Sequence, residues 1–136
     1  MRDEISAGII LFNESKERKF LLLNYPSGHW DFVKGKMENG EDTKTTALRE
    51  TKEETGITNI DFYDGFEEEI EYYFRIEGEE IHKKVIFFLA STKTTDVKLS
   101  HEHLNFIWLN FDHALEKTTY ENAKNLLKKS KDFLDN

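Results

Sequence analysis

One stretch constrains this chain more than any other. Gly35-Lys36-Met37-Glu38-Asn39-Gly40-Glu41-Asp42 is a Gly-containing acidic loop that runs directly into Thr43 to Thr55. The second part predicts a helix: Asp42 or Thr43 can cap its start, Gly56 can end it, and Ala47, Leu48 and Thr51 form a plausible inward stripe. At about 100° per residue, Glu50 and Glu54 stand one turn apart on one side. Glu53 lies about 60° to the other side of Glu50, so the three carboxylates can converge on one volume off the helix surface. Like charges at that spacing destabilise a bare helix by a few tenths of a kcal/mol per pair. A divalent cation reverses the sign, and oxygen-only ligands select a hard ion such as Mg²⁺, or Mn²⁺. Taken alone, the same residues also fit an ordinary solvated acidic helix face with Arg49 and Lys52 as surface partners.

The flanks decide between these readings. Gly35, Glu41, Arg49, Glu50, Glu53, Glu54, Gly56 and Ile57 follow the spacing Gly-x5-Glu-x7-Arg-Glu-U-x-Glu-Glu-x-Gly-U, with Thr51 at the first bulky-apolar position U. This resembles the signature of the Nudix hydrolases. The resemblance implies an α/β (α+β) sandwich, a mixed β-sheet between helices. It also implies Mg²⁺ (or Mn²⁺) held by Glu50, Glu53 and Glu54, with Gly35, Glu41, Arg49 and Gly56 in supporting roles and Glu41 and Arg49 bracing one another.

Three further stretches are similar to the asymmetrical diadenosine tetraphosphate hydrolases within that family: Gly28 to Lys36, Thr46 to Ile57, and Leu99-Ser100-His101-Glu102-His103 with Trp108-Leu109. On that comparison Thr51 is usual. Val33 replaces the usual Pro, which removes a fixed φ near −65° and is expected to loosen the loop. Carried over by position, Lys34 and His29 would lie at the polyphosphate and Glu102 would be an extra metal-ligating or water-assisting acid. Tyr72 and Lys83 would contact phosphate, and Tyr120 would stack on a base. Each also has an ordinary reading: Tyr72 and Tyr120 as packing aromatics, Lys83 as a solvated strand lysine, His29 as a loop residue. His101 and His103 flank Glu102, but no third nitrogen ligand accompanies them, which argues against zinc.

Around this centre the chain reads as one domain over residues 1–136, long enough to bury a core. Ile5 to Phe12 and Lys19 to Leu23 predict strands, with residues 24 to 42 as one long functional loop. Residues 58 to 76 and 81 to 91 alternate and suggest an antiparallel hairpin through Glu77 to Glu80. Val97 to Leu99 and Phe106 to Leu109 are short strand candidates, and Ala123, Leu126, Leu127 and Phe133 mark a closing amphipathic helix from Glu121 to Leu134.

The net charge of −8 disfavours a stable nucleic-acid complex while leaving room for a small anionic substrate held through metal ions. No segment reaches the roughly 20 apolar residues of a membrane span. Met1-Arg2-Asp3-Glu4 lacks a leader's basic start, and there is no cysteine for disulfides or thiolate sites. A cytoplasmic monomer acting on a nucleoside polyphosphate is the expectation. The reaction expected is metal-assisted hydrolysis of a phosphoanhydride bond, with diadenosine tetraphosphate giving ATP and AMP. The alternative is another pyrophosphohydrolase of the family, acting on RNA 5′ ends, diphosphoinositol polyphosphates or nucleotides. A catalytically silent Nudix binding module is more distant.

Overall fold

The computed structural model describes residues Met1–Asn136. Its centre is β1 (Arg2–Asn13), whose unbroken apolar run Ile9 to Phe12 is buried on both faces. A strand covered on both faces needs no polar alternation. One edge of β1 pairs in parallel with β6 (Glu79–Ser91), from Arg2↔Ile81 to Phe12↔Ser91. The other edge is shared by two antiparallel partners. β4 (Val33–Lys36) takes Ser6 to Ile9, and β2 (Lys19–Asn24) takes Phe12 and Asn13. β3 (Trp30–Asp31) and β7 (Asn105–Leu109) extend the sheet from β2, and β5 (Asp61–Ile76) pairs antiparallel with β6. The result is a seven-stranded mixed sheet.

Each face carries its own core. Ile10, Phe12, Phe20, Leu22, Phe87 and Leu89 pack with Ala114 of α2 (Phe111–Lys117) and with Ala123, Leu126 and Leu127 of α3 (Glu121–Asp135). Ala7, Ile9, Leu11, Leu21, Leu23 and Val33 pack on the other face with Ala47 of α1 (Thr43–Thr55). The expected sandwich of a mixed sheet between helices is what the chain forms. No helix is long and apolar enough to cross a membrane.

α1 has the predicted ends. Asp42 accepts from Thr45 N–H at 2.8 Å, and Gly56 closes the helix at φ 77°. The β5–β6 hairpin turns through Glu77 and Gly78, both at positive φ, the two-residue geometry that matches strand twist.

Several expectations change. Ala47 and Thr51 face inward as expected, but Leu48 is 38% exposed, and Thr46, Glu54 and Thr55 complete the inward face of α1. Residues 24 to 42 contain β3 and β4. Val33 is therefore a strand residue, 1% exposed and paired with Ile9, so ladder and burial supply the restraint that a Pro would give. Val97 to Leu99 forms no strand, because Lys98 N–H donates to Thr55 O at the end of α1. No sequence period marks α2, which is only seven residues long. Its start is capped by Asn110, which accepts from His113 N–H at 3.0 Å.

Candidate active site

The last turns of α1 deliver the acids. Glu50, Glu53 and Glu54 place one carboxylate oxygen each within 4.8 Å of one another. Glu54 is buried, Glu50 half-buried and Glu53 exposed. Burial pushes the Glu50 carboxyl up, against the opposing pull of Arg49. Three convergent carboxylates with oxygen-only donors fit a hard divalent cation, and the cluster can hold one.

Gly35 explains how Glu50 reaches its place. A Cβ on Gly35 would lie 2.0 Å from Glu50 Cδ, so any side chain there would occupy the carboxylate's position. Gly8 does the same for β4: its Cβ would meet Val33 O at 2.2 Å. Two glycines thus let helix and strand close on each other.

Arg49 holds the loop to the helix. Its Nε donates to Glu41 Oε2 at 2.6 Å, and its Nη2 to Glu41 Oε1 at 3.1 Å and to Lys36 O at 2.9 Å. The bidentate bond from Arg49, aided by Glu38 N–H, lowers the Glu41 pKa to about 2. The predicted Glu41–Arg49 brace is present. Arg49 Nη1 also contacts Glu50 at 2.9 Å and Glu53 at 3.2 Å, offsetting part of the cluster's charge.

A cleft of about 460 Å³ lies on the α3 side of the sheet. His29, Asp31 and Lys34 form one wall, Ile70 and Tyr72 of the hairpin another, and Tyr120 with the first turns of α3 the third. Four of the five predicted substrate-binding residues are brought together there. Lys83, the fifth, is the direct cross-strand partner of Tyr72 and so shares its face. Burial lowers the Lys83 pKa, and the charges of Lys34 and Lys36 lower it further against the opposing pull of Glu4. The ring of His29 stacks on Tyr25 at 4.7 Å and 6°, and meets Tyr120 at 5.2 Å. Burial also lowers the His29 pKa, which favours the neutral ring for stacking. Because side chains alternate along β4, Lys34 faces the cleft while Gly35 faces Glu50.

Glu102 is exposed on a turn and stands outside the cluster of three acids. Its neighbours Ser100 and His103 touch Glu54 instead, at 2.5 and 2.6 Å from Oε2. His101 is exposed while His103 is buried, so the pair shares no face. Asp31, 6% exposed, joins the site with no motif to mark it: it accepts from Phe32 N–H and from Lys34 Nζ at 3.3 Å, steadying the cleft lysine. Only its place between Trp30 and Lys34 hinted at this.

Comparison with known proteins bears on this arrangement. The family model of the NUDIX domain matches residues 2–130. The rat bis(5'-nucleosyl)-tetraphosphatase [asymmetrical] is 36% identical, over 95% of this chain and 94% of its own. The enzyme of the same name from Caenorhabditis elegans is 35% identical, covering 95% of each. The crystal structure of a C. elegans Ap4A hydrolase binary complex superimposes with a TM-score of 0.85 at 33% identity, over 97% of this chain and 98% of that one.

Proposed function

Because this chain belongs to the NUDIX family, we propose that it hydrolyses a phosphoanhydride bond of dinucleoside polyphosphates, cutting diadenosine tetraphosphate asymmetrically into ATP and AMP. The observation that carries this reading is the pairing of two features across β4: the acid cluster on one side and, on the other, a cleft walled by Lys34 and by the rings of His29, Tyr72 and Tyr120. The near full-length similarity to the rat and C. elegans tetraphosphatases supports the choice of substrate.

In this reading Glu50, Glu53 and Glu54 would hold Mg²⁺, and Glu102, on its exposed turn outside the cluster, would be the extra acid that the family resemblance implies. When bound, the ion supplies Lewis-acid polarisation of the phosphate chain and an acidified water. Lys34 and Lys83 bind the phosphates and stabilise charge that builds on their oxygens. Tyr72 adds a phosphate contact, and His29 and Tyr120 hold a base at the cleft mouth, since every base offers a π-face. Glu54, the carboxylate fixed by two neighbouring side chains, accepts the proton of the attacking water.

The test is product identification after incubation with Mg²⁺ and a panel of diadenosine tetraphosphate, nucleoside triphosphates, diphosphoinositol polyphosphates and RNA with 5′-triphosphate ends. ATP and AMP in equal amounts from diadenosine tetraphosphate, at the highest kcat/KM of the panel, is the expected result. Faster processing of RNA ends, or inertness towards the whole panel, overturns it.

A further inference from the structure

The carbonyls at the end of a helix lack partners within it. In α1 the segment after β6 meets two of them: Lys98 N–H donates to Thr55 O at 2.9 Å and Ser100 N–H to Glu54 O at 3.3 Å. That docking carries two side chains onto one carboxylate oxygen of the acid cluster. Ser100 Oγ donates to Glu54 Oε2 at 2.5 Å, and His103 Nδ1 stands 2.6 Å from the same atom. The side chains of His103 and Glu54 are 4% and 5% exposed, so water screens this contact little. The imidazole approaches without hydrogen-bond alignment, and neither of its buried nitrogens has a partner of its own. A buried polar ring in that state calls for a role beyond filling space.

The ring is also held from behind. Tyr25 meets His103 edge-on at 4.5 Å and 74°, and its hydroxyl donates to Phe32 O at 2.5 Å. The two contacts, a carboxylate and a phenol ring held by its own hydrogen bond, restrain the imidazole in its buried place.

We propose that Ser100 and His103 are positioning residues for Glu54: by engaging Oε2 they fix the rotation of the carboxylate and keep its other oxygen available to the cluster with Glu50 and Glu53. The proposal rests on the metal-dependent reading above. It adds that metal affinity is set partly by a loop outside the helix that carries the ligands. Groups that orient a metal ligand commonly change metal affinity or activity by about 10- to 100-fold when removed.

Mn²⁺ titration calorimetry on the full chain tests this, with steady-state kinetics on diadenosine tetraphosphate and thermal melting alongside. H103A should weaken Mn²⁺ binding by about tenfold and lower kcat by about 10- to 100-fold, with KM changed less than about threefold. H103N, which keeps a polar group beside Oε2, should recover part of the affinity. S100A should move both quantities in the same direction by less. In an E54Q background, H103A should add less than about a twofold further loss, since contacting residues are non-additive. H103A with unchanged Mn²⁺ affinity overturns the proposal, as does a full additional loss in E54Q. Should H103A fail to fold, H103N and S100A read the same quantities. A wild-type protein inert towards diadenosine tetraphosphate would remove the substrate reading, while the Mn²⁺ arm would still decide this one.

Discussion

Replacing Glu54 by Gln preserves its volume and removes its charge, which separates chemistry from packing at a 4% exposed position. The Glu54→Gln protein should keep its circular dichroism spectrum and lose about 10²- to 10⁴-fold in kcat, the usual contribution of a positioned proton acceptor. Turnover near wild type in that folded variant would take the role from Glu54. Gly35 makes the complementary case. Its missing Cβ is the space that the Glu50 carboxylate fills, so Gly35→Ala should weaken Mn²⁺ binding about tenfold. Calorimetry showing no loss would mean that Glu50 is not a ligand. The three acids were legible in the sequence because they share one helix, whose period fixes their directions, and the Glu41–Arg49 pair was legible through the family spacing. Ser100 and His103 were not. They reach Glu54 through loop docking, and Ser100 lies 46 residues from it, a contact that no local period encodes.

Among the elements, the long strands, α1 and α3 stood out because they run for several periods. β3 and β4 did not, since strands of two and four residues in a Gly-containing loop are too short to alternate visibly. The seven residues of α2 were equally brief. Val97 to Leu99 misled for another reason: Val97 and Leu99 pack on a core while the Lys98 N–H serves the end of α1. One junction between elements predicts a pH effect. His82 of β6 contacts Glu71 of β5 at 2.7 Å and Asp3 of β1 at 3.1 Å, joining three strands. The Glu71 hydrogen bond, followed by that of Asp3, raises its pKa above the ordinary 6.5. The charged form is thus favoured by folding. Its contribution is complete below the unfolded value and is lost as pH rises through the higher folded value. The urea midpoint should therefore fall with rising pH above about 6.5, and His82→Gln should flatten that slope. An unchanged slope in the variant would show that His82 is not its source.

For the molecule as a whole, two cores on opposite faces of one sheet divide the work. The α1 core fixes the acid cluster, and the α3 core sets the far wall of the cleft. Leu127 is fully buried in the second core and absent from the cleft lining. Leu127→Ala should cost about 2–5 kcal/mol of stability by urea unfolding. Its kcat per folded molecule at low temperature should stay within about twofold, because the reacting groups lie elsewhere. A large loss of kcat in protein that is still fully folded would contradict this division. The sandwich was legible from helix and strand order, but the sharing of one β1 edge between β2 and β4 was not, since pairing partners leave no mark on strand composition.

The parallel pairing of β1 with β6 has a consequence for biosynthesis. The ends of these strands, where Asn13 bonds to Thr92, are separated by 79 residues. At about 5–20 residues per second, a ribosome takes on the order of ten seconds to make that interval. Throughout it, the apolar run Ile9 to Phe12 waits without its main neighbour. Folding to the native sheet must follow synthesis of β6, and a translational pause before residue 91 would prolong exposure of the sticky N-terminal strand to chaperones and to other chains.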